Sequence, residues 1–359
     1  MAIKLVGNPA KVHFSFPNWS TSSRQAPIDT PGRIIELNPQ SPTQQEKHQL
    51  EKLILSENID IVFGFDQPAT SPIYSVIRKC GVKLLLSYWG APMSSRNRGF
   101  KLTLKRLEIA LRRHGPDLYI FESKSMQDSA IYGRGIAARK TCVVRLGVDT
   151  HKYKYRPSLS NYAFDEFSIP QNRKIIYYSG HMESRKGVNV LISAAKQLYT
   201  VHQRRDFHFL ILGNLKGQEA PFLETLREHS AIQHVTFGGY RSDIPAILCS
   251  AYVGAIASTG WDSFTVSSLE MASSGLPLLV SDLQGLSETV ENEKTGYLFP
   301  PGSHETLALL IARLLDDPEL RNRMGRAARE RIVNSYSVER QVDELSAAIH
   351  LAEQRLATP

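Results

Sequence analysis

Short apolar runs alternate with amphipathic stretches along most of the chain. Apolar runs of this kind, bounded by polar or turn residues, are typical of strands buried on both faces. We predict such strands at Ile59–Gly64, Lys83–Ser87, Leu118–Phe121, Thr141–Arg145, Lys174–Tyr178, His208–Leu212, His234–Phe237, Val253–Ala257, Leu278–Val280 and Gly296–Phe299. In the second half, helical periodicity predicts helices at 187–202, 219–229, 243–251, 264–274, 303–315, 318–334 and 338–355. The alternation predicts parallel sheets covered by helices.

A polar, irregular stretch at residues 156–172 interrupts this alternation. We interpret it as a linker, because a chain of 359 residues exceeds the usual size of a single hydrophobic core. The predicted architecture is α/β, with two doubly wound, Rossmann-like domains facing a central cleft. We place the first domain at residues 1–160 and the second at 161–337. A C-terminal helix at 338–359 is expected to pack back on the first domain.

Charge is distributed unevenly between the two predicted domains. Residues 1–160 contain 24 Lys and Arg against 12 Asp and Glu, whereas the remainder contains 19 against 23. Part of the excess lies in residues 95–113, where apolar residues recur at helical spacing among cations. The apolar positions are Phe100, Leu104, Leu107 and Leu111, and the cations are Arg96, Arg98, Lys101, Lys105, Arg112 and Arg113.

Such a segment fits two interpretations equally well. A basic amphipathic helix can lie on an anionic membrane surface. The same pattern also describes a core helix that turns its apolar stripe to a sheet and its basic face to solvent. Nucleic acid is a weaker alternative, because no RNA- or DNA-binding motif is visible, and we predict no nucleic-acid partner.

Several protein classes are disfavoured by features that the sequence lacks. Cys80, Cys142 and Cys249 have neither the spacing of a disulfide framework nor that of a metal site. No signal peptide is visible, and no apolar run approaches the roughly 20 residues that span a bilayer. A Gly-x-Gly-x-x-Gly fingerprint and a hydrolase-like pairing of histidine with serine or cysteine are also missing. We expect a cytoplasmic protein without metal or cofactor, peripheral to the membrane where the basic segment binds lipid.

The densest candidate chemistry surrounds Asp262 and Glu270, which stand eight positions apart at a predicted strand-to-helix junction. A helix that begins at the carboxyl end of a strand points free N–H groups into the crevice there, and this suits a phosphate. The N–H groups of Ser263, Phe264 and Thr265 are the candidates. Ionised carboxylates accept hydrogen bonds from hydroxyl groups, so the segment suits a nucleotide-sugar. Alternatively, Asp262 caps the helix.

Arg185 and Lys186 lie at the start of another predicted helix that follows a strand. Cations at a helix N-terminus are unfavourable unless an anion is present, so this pair predicts an anionic ligand. A diphosphate fits, and stabilising the charge that develops on a leaving diphosphate contributes to catalysis. Two solvated cations are the less favoured alternative.

From about residue 173 to 350, the chain resembles the nucleotide-sugar domain of the family-4 (group 1) retaining glycosyltransferases of the GT-B fold. Several motifs in the same order carry the resemblance. They are Ser179–Val188, Ile211–Gly213, Val235–Tyr240, the Asp262 and Glu270 segment, Gly275–Asp282 with Gly285 and Glu288, and Val144–Asp149 before the linker.

The resemblance implies transfer of a sugar from a UDP- or GDP-sugar to a hydroxyl of a glycan or lipid-linked acceptor, in cell-surface polysaccharide or glycolipid synthesis. It implies that Arg185 and Lys186 bind the diphosphate, Asp262 the sugar and Glu270 the ribose. Gly180 and His181 fall in the donor loop. Tyr240 either lies along the base or only packs. No metal or cofactor is implied, and the leaving diphosphate can take the acceptor proton.

Three positions depart from the family pattern. Asp262 stands where a glutamate is usual, His181 where an arginine is common, and Trp89 where many members have a histidine. Trp89 cannot act as a base, which leaves Asp66 as the nearest strand-end carboxylate on the acceptor side. Asp66 binds an acceptor hydroxyl or merely opens the turn before Pro68.

The N-terminal segments 7–11 and 15–23 match the family's opening loop poorly. A non-catalytic nucleotide-sugar binder, which the departures at Asp262, His181 and Trp89 favour, and a nucleotide-sugar epimerase on the same fold stay as alternatives.

Overall fold

The computed structural model describes residues 2–17, 30–111 and 114–357. The chain forms two compact units, one of residues 1–145 with 341–359 and one of residues 146–340. This division falls before the predicted domain boundary at residue 160. Residues 146–160 belong to the second unit because their backbone is bonded there. Ser273 Oγ, for example, donates to the carbonyl of Tyr153 at 2.6 Å.

The first unit is built on a four-stranded parallel sheet with the strand order β3-β4-β5-β6. A separate parallel pair, β1 with β2, precedes it in the chain. The elements are α1 (Ala2–Val6), β1 (Phe14–Phe16), β2 (Ile34–Glu36), α2 (Gln44–Glu57), β3 (Ile61–Phe65), α3 (Ile73–Lys79), β4 (Leu84–Trp89), α4 (Gly99–Ala110), β5 (Leu118–Phe121), α5 (Lys124–Asp128) and β6 (Thr141–Val143). A π-helical turn at Ser129–Arg134 continues α5.

Local sequence explains where α2 begins and ends. Thr43 Oγ1 accepts from the N–H of Glu46 at 3.1 Å, and the Glu46 carboxylate accepts from the N–H of Thr43 at 2.6 Å, which forms a capping box. Asn58 ends the helix in the left-handed conformation. The buried face of α2 packs with α3 and β4 in a core that includes Leu50, Ile54 and Ile77.

The structure describes only part of two segments that the sequence analysis singled out in this unit. The basic segment forms α4, which is shorter than the predicted 95–113, and Arg112 and Arg113 lie outside the described residues. Of the poorly matching N-terminal segment 15–23, residues 18–23 also lie outside them. Among the described residues, each helix is too short or too polar to cross a bilayer.

The second unit is built on a six-stranded parallel sheet with the order β12-β11-β10-β7-β8-β9. Its elements are α6 (Tyr162–Glu166), β7 (Lys174–Ser179), α7 (Val188–Thr200), β8 (Phe207–Leu212), α8 (Ala220–Glu224), β9 (Val235–Phe237), α9 (Ile244–Ile247), β10 (Ala251–Ile256), α10 (Val266–Ser273), β11 (Leu278–Ser281), α11 (Gln284–Ser287), β12 (Gly296–Phe299), α12 (His304–Asp316), α13 (Pro318–Ser335) and α14 (Val338–Ala357). The last helix ends in the first unit, to which residues 341–359 belong.

Both faces of this sheet are buried, which explains the continuous apolar runs of its strands. Along β7, Ile176 and Tyr178 enter the core on one face, where α7 and α12 pack. Ile175 and Tyr177 enter the core on the other face, where α10 packs.

The strand order creates one place suited to a ligand. From β7 the chain moves outward through β8 to β9, then returns to β10 beside β7 and moves the other way to β12. The loops that follow β7 and β10 therefore leave the sheet in opposite directions. In open parallel sheets, ligands bind in the crevice at such a switch point, at the carboxyl ends of the strands.

Candidate functional site

The loops after β7 and β10 are joined by an ion pair at the switch point. Lys186 Nζ donates to both carboxylate oxygens of Asp262, at 2.9 and 3.0 Å, although the two residues are 76 positions apart. Both side chains are largely shielded from water. The structure therefore brings together two residues that the sequence predicted for different parts of one ligand.

The Asp262 carboxylate already makes more hydrogen bonds within the protein than a residue that is free to bind a sugar would make. Besides Lys186, its carboxylate accepts from Ser258 Oγ at 2.6 Å and from the N–H of Ser263 at 3.0 Å. Only 3% of the residue is exposed. A carboxylate has about four acceptor positions, and these four hydrogen bonds fill them. Asp262 does not cap α10, because the N-cap residue is Thr265.

Arg185 lies in the turn Ser184–Lys186 beside the pair. Its guanidinium group stacks on the indole ring of Trp261, 4.2 Å from the ring centroid, and donates to the Trp261 carbonyl at 3.1 Å. Its Nε lies 2.7 Å from Glu183. The Arg185 carbonyl in turn accepts from the N–H of Thr259 at 2.8 Å, which ties the two loops together.

Two glycines allow the backbones to approach this closely. Gly187 has a φ of +73°, and a Cβ there would lie 1.7 Å from the carbonyl oxygen of Ala257, at the end of β10. Gly213, after β8, has a φ of +101°, and its Cβ would lie 2.3 Å from the carbonyl oxygen of Gly180. A side chain at either position would force the loops apart.

Glu270 lies on α10 and is half-buried. Its carboxylate faces the hydroxyl of Tyr153, from the segment that leads into the second unit. Burial raises the pKa of Glu270, while the Tyr153 hydroxyl and the charge of Lys152 oppose that rise. With one tyrosine as its hydrogen-bond partner, the Glu270 carboxylate keeps lone pairs for a ligand hydroxyl.

Arg329 of α13 fixes Tyr153 in place. Its guanidinium group donates to the carbonyls of Tyr153 at 2.8 Å, Ser273 at 2.7 Å and Thr150 at 2.9 Å. These bonds connect the entering segment to the C-terminal end of α10, the helix that carries Glu270. The position of Glu270 relative to Tyr153 is thus set by contacts that are distant in sequence.

The start of α10 has the geometry expected of an anion site. The Thr265 side chain makes no capping hydrogen bond, and its hydroxyl donates to Ser268 Oγ at 3.0 Å instead. The first N–H groups of α10 are therefore not taken by their own N-cap side chain. The Phe264 ring is buried against Tyr336, with ring centroids 5.2 Å apart, so this residue can offer a ligand only its backbone.

The remaining donor-side predictions lie at the ends of neighbouring strands. His181 is exposed after β7, and its carbonyl accepts from the Tyr178 hydroxyl at 3.0 Å. Tyr240 follows β9 and is 81% exposed, so it is not a packing residue. It borders an open groove of about 590 Å³ together with Asn214, Lys216 and Gly239.

The acceptor-side predictions lie at the carboxyl edge of the sheet in the first unit. Asp66 follows β3 with a φ of +49°, and its Oδ1 accepts from the N–H of Gly90 at 3.0 Å. Burial raises the pKa of Asp66, and this hydrogen bond opposes the rise. Trp89 Nε1 donates to Ser87 Oγ at 2.8 Å and to the Gln67 carbonyl at 3.1 Å, so its indole is held in place.

Four residues of the site were missed by reasoning from sequence. They are Ser258, Trp261 as a stacking partner, Tyr153 and Arg329. The position of Ser258 at the end of an apolar run was a usable signal, since strand ends line the crevice. No local pattern marks Tyr153 or Arg329, because their role depends on which segments the fold brings together.

The chain is similar in sequence to known glycosyltransferases. Residues 162–331 match the family model of glycosyl transferases group 1. The chain is 28% identical over 243 residues to a glycogen synthase of Mycobacterium tuberculosis, which covers 67% of this chain and 55% of the relative. It is 25% identical over 302 residues to the UDP-Gal:alpha-D-GlcNAc-diphosphoundecaprenol alpha-1,3-galactosyltransferase of Escherichia coli, covering 82% and 76%.

A solved structure extends the comparison to nearly the whole chain. Anabaena HepE in complex with UDP-glucose has a TM-score of 0.71 at 20% identity, covering 89% of this chain and 86% of that one. The predicted GT-B fold, with two Rossmann-like domains, is confirmed. The match to the group 1 glycosyltransferase model covers slightly less than half of the chain. The chain spans about half the length of the glycogen synthase.

Proposed function

We propose that this protein is a retaining glycosyltransferase that uses a nucleoside-diphosphate-sugar donor. The observation that carries the proposal is the Lys186–Asp262 pair at the switch point between β7 and β10, inside the residues that match the family model. Glu270 lies on α10, the helix that follows the loop carrying Asp262. A charged group, hydroxyl-binding carboxylate and helix N-terminus in one crevice suit a nucleotide-sugar.

Lys186 and Arg185 bind the diphosphate in this proposal. An ammonium group has three protons, and Asp262 takes two of them, so one remains for a phosphate oxygen. Arg185 supplies the second cation, and its ion-pair partner Glu183 is half exposed, so solvent screens that pair more than it screens the buried Asp262. Both cations stabilise the charge that grows on the diphosphate as it leaves.

Asp262 acts mainly through Lys186. Its four hydrogen bonds and its burial leave little capacity for a sugar hydroxyl. We therefore assign it as a positioning residue that fixes the direction of the Lys186 ammonium. The shorter side chain at this position, where the family commonly has glutamate, fits that role.

Glu270 binds the ribose hydroxyls, and the N–H groups of Phe264 and Thr265 bind on the phosphate and sugar side. The N–H of Ser263, which the sequence also suggested, donates to Asp262 instead. His181 and Gly180 border the donor, and Tyr240 contacts the base from its exposed position after β9. The chain needs no metal or cofactor for this chemistry, since its own cations neutralise the diphosphate.

The reaction breaks the bond between the sugar C1 and the diphosphate oxygen and forms a bond from C1 to the acceptor hydroxyl oxygen on the same face. The acceptor proton passes to the leaving diphosphate, so a protein base in place of Trp89 is not required. Asp66 binds an acceptor hydroxyl from the first unit.

The names of the relatives favour particular substrates. The E. coli relative is named for UDP-Gal and a diphosphoundecaprenol-linked acceptor, and the Anabaena structure contains UDP-glucose. We infer a UDP-sugar donor in preference to a GDP-sugar, and a glycan or lipid-linked acceptor in cell-surface polysaccharide or glycolipid synthesis. The corresponding location is the cytoplasm, at the membrane face.

Donor binding and turnover test the proposal separately. Thermal shift with UDP, GDP and their sugars identifies the base, and release of the nucleoside diphosphate with candidate acceptors measures transfer. Lys186→Ala should lower the rate about a hundredfold or more, because it removes a charge contact to the leaving group. Lys174→Ala, at the opposite end of β7, is the matched control and should have little effect.

A non-catalytic nucleotide-sugar binder is the second candidate. The saturated hydrogen bonding of Asp262 favours it, because a carboxylate that cannot reach the sugar also cannot orient it. Tight donor binding with no turnover on any acceptor would select this candidate. Turnover that Glu270→Gln and Lys186→Ala both abolish would exclude it.

A further inference from the structure

The apolar stripe of α4 faces outward in the first unit. Phe100 is 77% exposed and Leu111 is 82% exposed, with Leu104 and Leu107 between them about half exposed. Their spacing of four, three and four residues places all of them on one side of the helix. None of the residues of α4 is buried. Of the two interpretations of this segment, the core helix facing a sheet is therefore not supported.

The opposite side of α4 holds the helix in place. Leu102 and Ile109 are half-buried there. Glu108 accepts from Arg134 Nη1 and Nη2 at 3.0 and 3.1 Å, which ties α4 to the turn after α5. The backbone of α4 also passes close to Gly135, where a Cβ would lie 2.8 Å from the amide nitrogen of Arg106. The outward direction of the stripe thus follows from packing on the inner side.

Charges around the stripe are predominantly positive. Arg98, Lys101 and Arg106 are exposed, and within the described ranges they form no ion pair. The acids nearby are already neutralised. Lys105 and Arg134 hold the pKa of Glu108 at about 2, so it is ionised but paired, and Asp128 pairs with Arg96 and Lys124.

We propose that α4 docks this protein on an anionic membrane surface, with the stripe Phe100, Leu104, Leu107 and Leu111 inserted among the lipids. A helix of 12 residues is about 18 Å long, which suits a position parallel to the surface. The inserted side chains reach the acyl boundary. Lys101 beside the stripe, Arg98 at the N-cap and the long side chain of Arg106 on the inner side extend toward anionic headgroups. This surface is separate from the proposed donor site and does not depend on it.

Charge and shape favour a membrane over a macromolecular partner. An apolar stripe is of no use against phosphates in a nucleic acid, whose binding rests on cations and stacking groups. A protein groove would accept the stripe, but it would need an acidic rim to match these cations. A lipid surface with anionic headgroups provides both an apolar layer for the stripe and negative charge for the cations.

Vesicle co-sedimentation of the full chain tests the proposal. We expect binding to vesicles that contain phosphatidylglycerol, weaker binding at high salt, and little binding to phosphatidylcholine alone. Arg98→Gln, Lys101→Gln and Arg106→Gln together should weaken binding about a hundredfold, because each cation near the surface contributes about fivefold. Phe100→Ser with Leu111→Ser should weaken it about a hundredfold as well.

Matched control variants distinguish binding through this surface from nonspecific electrostatic and hydrophobic adsorption. Lys11→Gln, Lys52→Gln and Lys79→Gln remove three exposed cations elsewhere in the first unit, and Leu55→Ser with Leu309→Ser removes two similarly exposed leucines. Both control variants should bind like the wild type. Because all these side chains are exposed, the variants should keep the wild-type melting temperature.

Phe100→Trp reports insertion directly. The emission maximum of the added tryptophan should shift to shorter wavelength with anionic vesicles and stay unchanged with neutral ones. Salt-insensitive binding, equal losses in the control variants, or a dimer in solution that Phe100→Ser dissociates would overturn the proposal. Binding of double-stranded RNA without vesicle binding would also overturn it and identify a nucleic-acid surface.

Discussion

Among single residues, the ionic contact between Lys186 and Asp262 defines the site most clearly. A charged pair that is nearly buried gains its Coulomb attraction at the cost of desolvating both groups. Such a pair adds little stability over an apolar pair, yet it leaves a costly lone charge when one partner is removed. The role of the ion pair in this protein is to orient the Lys186 ammonium group toward the crevice.

A double-mutant cycle on this pair tests its coupling. Asp262→Asn should lower the free energy of unfolding by about 3 kcal/mol, because it leaves the Lys186 ammonium shielded and without a counter-charge. Lys186→Met with Asp262→Asn should cost clearly less than the sum of the single changes. The exposed pair Lys294 and Glu291 is the control, and its coupling should be below about 1 kcal/mol. Additive effects at Lys186 and Asp262, measured by denaturant unfolding, would contradict the assignment.

The role of Asp262 is tested by introducing glutamate, the residue that is usual here in the glycosyltransferases that the chain resembles. Asp262→Glu inserts one methylene where the residue is 3% exposed, so we expect strain and a displaced Lys186. Donor affinity and kcat/KM should both fall, by roughly tenfold or more. A rise in kcat/KM for any donor would show instead that a longer carboxylate at this position reaches the sugar.

Glu270→Gln separates stability from binding. Burial raises the pKa of Glu270, so the folded chain holds this proton more tightly than the unfolded chain. The ionisation of Glu270 therefore costs stability as pH rises through its ordinary value of 4.5 and onward to the folded pKa. At neutral pH the variant should melt higher than the wild type while binding the donor more weakly, and below the ordinary pKa the melting temperatures should converge. Glu330→Gln, on an exposed face, is the control, and a lower melting temperature for Glu270→Gln at neutral pH would contradict the argument.

At the scale of elements, the crevice depends on two loops that touch along their backbones. The Arg185 carbonyl, in the turn Ser184–Lys186, accepts hydrogen bonds from N–H groups of the loop after β10. Gly187 lies where the two loops are closest. The loops therefore form one unit, although each follows a different strand.

Gly187→Ala should disrupt that unit. The new Cβ would lie 1.7 Å from the carbonyl oxygen of Ala257, and φ is positive, so we expect a loss of about 3 kcal/mol or more and a large fall in donor affinity. Gly217→Ala is the matched control, because its φ is also positive but nothing lies within 4 Å of the new Cβ. It should cost only about 1 kcal/mol and leave donor binding intact. Equal effects in the two variants would show that the contact between the loops is dispensable.

At the scale of the whole molecule, the two units have their own sheets and cores. The residues proposed to bind the donor, from Gly180 to Glu270, all lie in the unit of residues 146–340. A ligand that binds only the folded form of that unit stabilises it by mass action.

Calorimetry of the full chain should therefore distinguish the units. A nucleoside diphosphate at a hundred times its dissociation constant adds about 2.7 kcal/mol to the unit that binds it. We expect the transition of the second unit to move to higher temperature and that of the first unit to stay. The variant Glu270→Gln should reduce the shift. A ligand that moves the transition of the first unit alone would place the donor site there.

The sequence by itself determined most of the elements of this protein. The strands at Leu118–Phe121 and Gly296–Phe299 have the predicted bounds, and others differ by one or two residues at their ends. Strands buried on both faces must be apolar throughout, so a short stretch of sequence is enough to predict them. The motifs within residues 162–331, which match the group 1 glycosyltransferase model, are equally local, and the GT-B fold was predicted from them.

Only the tertiary structure decided how these residues meet. The pairing of Lys186 with Asp262 across 76 positions follows from the return of β10 to the side of β7. The partner of Glu270, Tyr153, lies in a stretch that the sequence assigned to the other domain. The direction of the α4 stripe was equally open, since an amphipathic pattern fixes which residues share a face but not what that face meets. Periodicity is a property of neighbours along the chain, whereas burial and ion pairing depend on segments that only folding brings together.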